Sequence, residues 1–125
     1  MKYKIISETK THDIVEFDYF KKRKLPSPLK IKKTVGPYKS IVGEDRLWNI
    51  KKYKLIPQSN NLEKIFAIEL MEDATNKKIK EVRIGYYIIG KKGRLKNKWA
   101  WGQFCPFFPQ KDLKKALKII KEDFL

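Results

Sequence analysis

Several segments of the chain alternate apolar and polar residues with a period of two. In DIVEFDYF, Val15, Phe17 and Tyr19 fall on one face of an extended strand, and Glu16 and Asp18 fall on the other. Short turn signals such as QSNN and DATNKK separate segments of this kind. The segments are 2–8, 13–20, 46–57, 64–73, 78–90 and 96–104. The pattern predicts a mainly antiparallel sheet of five or six strands.

The C-terminal segment 110–125, QKDLKKALKIIKEDFL, has a helical period instead. Pro109 suits the first turn of a helix, and Asp112 lies near the positive end of its dipole. The apolar residues at helical spacing are Leu113, Ala116, Leu117, Ile120 and Phe124. The remaining surface is interpreted as a solvated face of lysines, Lys114, Lys115, Lys118 and Lys121. The sequence therefore predicts an α+β fold, with one C-terminal amphipathic helix packed on a face of the sheet.

The length of 125 residues is typical of one domain, so residues 1–125 are treated as a single domain. Hydrophobic residues make up 42% of the chain and aromatic residues 13%, which supplies the apolar material of a core. A highly charged disordered chain would lack that material. We therefore expect a folded protein.

The formal net charge is +16, from 30 basic and 14 acidic residues. Self-repulsion of that size costs stability unless a polyanion lies nearby, which makes nucleic acid the leading candidate partner. The alternative is a general enrichment of lysine in an AT-rich or heat-adapted genome, which would spread the charge evenly. Residues 21–56 carry a net charge of +10 and residues 74–111 carry +9, whereas residues 57–73 carry −3. This clustering favours a polyanion-binding protein.

The first basic block contains the segment KKRKLPSPLKIKKTVGPYKS, residues 21–40. Its prolines, Pro26, Pro28 and Pro37, argue against a helix and for an extended loop or arm. An extended basic arm resembles the flexible segments that follow a phosphate backbone. A solvated loop without a partner is the competing interpretation.

The second basic block leads into the stretch NKWAWGQF. In an extended strand Trp99, Trp101 and Gln103 share one face, so the two indoles form a flat aromatic strip. Bases of a single strand stack on such strips, while nearby lysine and arginine neutralise the phosphates. The alternative is that at least one tryptophan is core, beneath the C-terminal helix and in contact with Leu113, Leu117 and Ile120. In that case the preceding basic loop carries the binding.

Tyr86 and Tyr87 point to opposite sides of their strand, so one can pack inward while the other faces out. Arg83 shares the face of Tyr87, and an exposed Arg–Tyr pair is a candidate base or phosphate contact. An edge-strand hydrogen-bonding role for Tyr87 is the alternative. The candidate nucleic-acid-binding residues are Lys21, Lys22, Arg23, Lys24, Arg83, Tyr87, Lys91, Lys92, Arg94, Lys96, Lys98, Trp99 and Trp101.

The single cysteine, Cys105, excludes an intramolecular disulfide and cannot supply a cysteine-rich zinc site. It is interpreted as a buried small apolar residue. The N-terminus lacks the apolar run of a signal peptide, and no stretch approaches the roughly 20 apolar residues of a membrane span. We therefore expect a soluble, cytoplasmic protein that has no cofactor and no membrane partner.

An enzymatic interpretation depends on the acidic residues. Glu44 with Asp45, Glu69 with Glu72, or Glu81 with Arg83 could imitate the acid-acid-lysine site of a metal-dependent nuclease. The spacing is loose, and the lone His12 has no evident partner. We therefore predict no catalytic residues and no metal site.

The element order over residues 64–125, short strands, the basic loop GKKGRLKNK, a final strand and a helix, is similar to that of the single-strand-binding transcriptional coactivators. No motif matches residue by residue, so no site residue is transferred. The leading hypothesis is a non-enzymatic protein that binds single-stranded DNA or RNA through phosphates. The alternative is a protein-interaction module of a mobile-element or defence system, whose basic surface meets an acidic partner. The sequence leaves the oligomeric state open.

Overall fold

The computed structural model describes residues 2–39, 45–102 and 105–125. Its strands form two antiparallel sheets, and a helix near the C-terminus packs on the larger sheet. The predicted fold class, α+β with a mainly antiparallel sheet and one C-terminal helix, is confirmed. The described residues form eight strands rather than five or six, because segment 21–40 contributes two more. No helix within the described ranges is long and apolar enough to cross a membrane.

The smaller sheet contains three strands in the order β1-β2-β3. β1 spans Tyr3–Glu8, β2 spans His12–Phe17 and β3 spans Leu29–Lys32. The link between β1 and β2 is a tight turn, in which the backbone amide of His12 donates to Thr9 Oγ1 at 2.9 Å. The strand predicted for residues 13–20 ends at Phe17, and the chain continues directly into the short helix α1, Asp18–Lys22.

The larger sheet contains five strands in the order β4-β5-β6-β7-β8. Their bounds are β4 Thr34–Lys39, β5 Asp45–Gln58, β6 Asn61–Asp73, β7 Lys80–Ile89 and β8 Trp99–Trp101. Asp73 stabilises the turn after β6, because its Oδ1 accepts hydrogen bonds from the amide and hydroxyl of Thr75 at 2.8 and 2.7 Å. Arg46 of β5 binds the other oxygen of Asp73 at 3.0 Å.

Segment 21–40 is only partly a loop in its described part, because residues 23–28 lie outside helices and strands whereas β3 and β4 follow them. Leu29 and Ile31 of β3 are buried, and β3 pairs with β2. β4 follows after a single residue and pairs with β5, with an irregular register around Pro37. A proline is tolerated there because β4 is an edge strand. Ser40 lies outside the described residues.

Both faces of the larger sheet are covered. The first face packs against the smaller sheet and α1 and forms the main core between the two sheets. From the smaller sheet and α1 come Val15, Phe17, Tyr19, Phe20, Leu29 and Ile31, and from the larger sheet come Leu55, Ile65, Ala67 and Tyr87. Because the core joins the two sheets, residues of α1 can contact residues of β8.

The second face of the larger sheet packs against α2, Gln110–Ile119, and the π-helical turn Ile120–Phe124 that follows it. Ala116 and Phe124 are buried there. The predicted apolar stripe is only partly correct, because Leu113 is 40% and Leu117 is 55% exposed. The small Ala116 side chain meets the sheet instead.

Phe108, in the segment before α2, covers part of the same face. Its ring stacks on Phe66 of β6 with centroids 3.8 Å apart. Asp112, in the first turn of α2, accepts a hydrogen bond from the backbone amide of Ser59 at 2.9 Å, which joins the helix to the β5–β6 turn. These contacts fix the helix so that Leu113 and Leu117 face away from the sheet.

Candidate nucleic-acid interface

The first group of predicted basic residues, residues 21–24, follows the buried aromatic pair of α1. Tyr19 and Phe20 lie in the core, and the Tyr19 hydroxyl donates to the backbone oxygen of Leu62 at 2.7 Å. The four basic residues after them are exposed. Lys24 has a φ of 55°, and the next amide, that of Leu25, donates to the Phe20 carbonyl at 2.8 Å. The positive charges therefore project from a turn that is anchored to the core.

The second group, residues 91–98, lies in the connection between β7 and β8. This connection is folded, with one 3₁₀ turn at Gly93–Leu95 and backbone hydrogen bonds from Gly90 to Lys98 and from Asn97 to Gly90, each 2.9 Å long. A Cβ on Gly90 would collide with the backbone oxygen of Leu95, so this close approach requires glycine. The basic residues of the connection, Lys91, Lys92, Arg94, Lys96 and Lys98, are all exposed.

Trp99 joins the two groups. Its ring stacks on Phe20 of α1, with centroids 5.1 Å apart and an interplanar angle of 21°. Its indole Nε1 donates to the carbonyl of Pro26 at 2.8 Å, across 73 residues of sequence. A shallow pocket beside it is lined by Lys24 from the first group and Asn97 from the second, together with Glu63. We call residues 21–24 and 91–98 together the basic surface.

Trp101 lies across Gly85 of β7, whose missing side chain leaves room for the indole. The ring meets Tyr87 edge-on at a centroid distance of 5.1 Å. On the same strand, the Arg83 guanidinium lies 4.2 Å from the Trp101 ring centroid, as in a cation–π contact. Arg83 is also paired with Glu69 of β6, with Nε and Nη2 at 2.8 and 2.6 Å from Oε1.

Glu69 is the charged anchor of this arrangement. It is fully buried, and within the described part of the chain its Oε2 has no hydrogen-bond partner. Burial raises the pKa of Glu69, and the Arg83 guanidinium opposes that shift. Burial also raises the pKa of Tyr87, and the nearby Glu69 charge adds to this. Tyr87 is therefore a neutral phenol that supports Trp101, and Arg83 is a cation held in a fixed position.

The predictions for the tyrosines need correction. Tyr86 and Tyr87 are only 6% and 7% exposed, so the expectation that one of them faces out is wrong. The physical reason is that the larger sheet is covered on both faces where β7 passes through Tyr86 and Tyr87. The shared face of Arg83 and Tyr87 is correct, but the pair is not an exposed contact because Trp101 covers it.

The predictions for the tryptophans are correct in part. Trp99 and Trp101 are half-buried and both pack against the core between the sheets, which agrees with the predicted core packing without making either residue fully buried. Both tryptophans lie on the face of the larger sheet that is opposite α2. The predicted contacts with Leu113, Leu117 and Ile120 are therefore wrong. Gln103, the third predicted member of the strip, lies outside the described residues.

Cys105 is exposed rather than buried, because the chain has left β8 before it reaches this residue. Among the residues that the structure describes, the acidic side chains do not form the nuclease-like arrangement considered above. Glu69 is occupied by Arg83, and the described part of the chain contains no group of three or more His, Cys, Asp or Glu side chains that could hold a metal. Glu44 lies outside the described residues.

The sequence did not predict a second pocket, with a volume of about 370 Å³, that lies between β3 and β8. Among its lining residues are His12, Lys30, Lys32 and Tyr38, none of which is a predicted site residue. The alternation in LKIK, with Leu29 and Ile31 buried, was a signal that could have placed the two lysines on the outside of a strand. Glu69 could also have been identified from the sequence. It lies inside a segment that is apolar on both faces, and a buried carboxylate needs a cation or a hydrogen-bond donor next to it.

No protein-family model matches the chain, and neither the curated proteins nor the solved structures contain a match. The site is therefore interpreted from its own geometry and chemistry.

Proposed function

We propose that the protein binds single-stranded nucleic acid, DNA or RNA, through phosphates at the basic surface, without catalysis. The observation that supports this most is the Trp99 bridge, which brings together two basic segments that are far apart in sequence. The two segments carry nine exposed cations: Lys21, Lys22, Arg23, Lys24, Lys91, Lys92, Arg94, Lys96 and Lys98.

The chemistry of this surface suits phosphate contacts. Lysine and arginine side chains neutralise phosphates without reading the sequence, and each contact releases condensed counterions. Both basic segments are anchored to the core, so less conformational entropy is lost on binding than for a free arm. The proposed binding is therefore dependent on salt and largely independent of sequence.

The aromatic residues have unequal roles in this proposal. Trp99 is stacked on Phe20 and mainly positions the two basic segments. Trp101 is half-buried beside Arg83 and offers part of its ring to a base. Tyr87 is buried and supports the Trp101 ring.

The test is the affinity of fluorescently labelled single-stranded DNA and RNA, and of matching duplexes, measured by anisotropy over a series of salt concentrations. We expect the logarithm of the affinity to fall linearly with the logarithm of salt concentration. In a variant with Lys91→Ala, Lys92→Ala and Arg94→Ala, we expect weaker binding and a salt slope reduced by about one unit per lost phosphate contact.

A matched control removes the same charge elsewhere. Lys114, Lys118 and Lys121 are exposed on the C-terminal helical segment, which covers the opposite face of the larger sheet. Their replacement by alanine lowers the net charge equally and should leave the slope nearly unchanged. Equal losses in the two variants would mean that binding follows net charge alone, which contradicts a defined interface.

A further inference from the structure

The pocket of about 370 Å³ lies where the two sheets come together without pairing. β3 is the last strand of the smaller sheet and β8 is the last strand of the larger one. Lys30 and Lys32 of β3 line one side of the pocket, and Trp99 and Trp101 of β8 line the other. The volume falls within the range of about 300–1,000 Å³ that is common for small-ligand sites.

The lining of the pocket combines flat aromatic surface with positive charge. Its aromatic residues are Tyr38, Tyr87, Trp99 and Trp101, and its basic residues are His12, Lys30, Lys32 and Arg83. Among the described residues, no aspartate or glutamate lines it. A ligand that is complementary to this lining has a planar ring and a negative charge.

Arg83 is held in place for such a ligand. Its Nε and Nη2 bind the buried Glu69, and its Nη1 lies 3.4 Å from the Tyr38 hydroxyl. A guanidinium has five N–H groups, so these contacts leave one on each Nη atom for an oxyanion. The Trp101 ring beneath it prevents the guanidinium from turning away.

The pocket is also within reach of a strand that lies on the basic surface. Trp99 belongs to both sites, because it joins the two basic segments and lines the pocket. Leu95, from the β7–β8 connection, lines the pocket as well. A strand held by Lys96 and Lys98 therefore passes close to the pocket mouth.

We infer that this pocket takes one unstacked nucleotide of the bound strand, with its base against the aromatic residues and its phosphate against Lys30, Lys32 and Arg83. The inference rests on the proposed function. Inorganic phosphate alone would leave the aromatic wall unused, and an apolar ligand would leave Lys30 and Lys32 without an anionic partner. A nucleotide satisfies both halves of the lining.

The test uses the intact protein and free thymidine, uridine and adenosine monophosphates, with binding measured by calorimetry and by quenching of tryptophan fluorescence. We expect saturable binding of a monophosphate. The corresponding nucleoside and inorganic phosphate should each bind about tenfold more weakly or worse, because each lacks one of the two groups that the pocket recognises.

The variant pair separates the pocket from the basic surface. The first double variant, Lys30→Ala with Lys32→Ala, changes two exposed side chains of the pocket. The second double variant, Lys21→Ala with Lys22→Ala, removes the same amount of charge from the basic surface. We expect the first variant to weaken monophosphate binding by about tenfold and the second to leave it unchanged. Both variants should weaken binding of a long single strand, and thermal melting checks that both are folded.

Three outcomes would overturn the inference. If the monophosphates fail to bind while long strands still bind at the basic surface, the proposed function stands and the nucleotide pocket does not. Monophosphate binding that is unchanged by the Lys30 and Lys32 substitutions would place the ligand elsewhere. Monophosphate binding without any strand binding would make the pocket a site for free nucleotides, and the proposed function would fail.

Discussion

At the scale of single residues, Trp99 has the largest structural role. Its ring stacks on Phe20, its indole N–H binds the Pro26 carbonyl, and it borders the pocket between β3 and β8. A half-buried indole suits this position because it combines a large apolar surface with one hydrogen-bond donor. Trp99 therefore contributes to the spacing of the two basic segments.

We predict that Trp99→Ala lowers the free energy of unfolding by about 3 kcal/mol, at the lower end of the range for large aromatic-to-alanine changes because the ring is half-buried. Single-strand affinity should fall as well, since the basic segments lose their common anchor. Chemical denaturation and anisotropy measure the two effects.

Trp99→Phe is the control for this prediction. It keeps an aromatic ring next to Phe20 but removes the hydrogen bond to Pro26, so it should lose less stability than alanine does. If Trp99→Ala kept wild-type stability and lost only affinity, Trp99 would be a stacking platform for bases and not a structural bridge.

At the scale of elements, α2 shows how a helical period can be identified correctly while its buried face is misassigned. The stripe Leu113, Ala116, Leu117, Ile120 and Phe124 is broad enough to allow more than one contact line with the sheet. Phe108 already covers part of that face, and the Asp112–Ser59 contact sets the rotation of the helix. The helical segment therefore contacts the sheet through Ala116 and Phe124, and Leu117 faces solvent.

We predict opposite outcomes for two neighbouring substitutions in α2. Leu117→Asp changes a side chain that is 55% exposed and should alter stability by no more than about 0.5 kcal/mol. Ala116→Asp places a charge at a position with 0% exposure, which should cost several kcal/mol and unfold the domain. Thermal melting of both variants measures this, and destabilisation by Leu117→Asp would show that the stripe is buried as the sequence alone suggests.

At the scale of the whole molecule, the net charge of +16 destabilises the folded state in the absence of a partner. The described ion pairs, Arg83 with Glu69, Arg46 with Asp73 and Lys33 with Asp13, occupy only a few of the basic residues. The other basic side chains of the described residues are in no ion pair, so their mutual repulsion opposes the compact state.

We predict that the melting temperature rises with salt concentration, because the Debye length falls from about 30 Å at 0.01 M to about 8 Å at 0.15 M. The variant with alanine at Lys114, Lys118 and Lys121 should show a smaller rise, since it carries less charge. A single-stranded oligonucleotide added at low salt should raise the melting temperature further by binding the folded state. A melting temperature that falls with salt would mean that the ion pairs outweigh the repulsion.

The sequence determined most of the elements of this protein, but not α1, β3 or β4. Period-two alternation located β1, β2 and β5 to β8, and the helical period located α2, because these periods follow from local backbone geometry. The clustering of charge marked both basic segments. The prolines of segment 21–40 suggested a loop, although the alternation in LKIK was present as a strand signal.

Only the tertiary structure decided which faces meet. A period identifies an apolar face but not its partner, so the sequence could not show that the larger sheet is covered on both sides or that both tryptophans lie opposite α2. The Glu69–Arg83 pair and the Trp99–Phe20 stack join different strands and a helix. Such contacts depend on how the two sheets come together, and no local pattern of residues specifies that geometry.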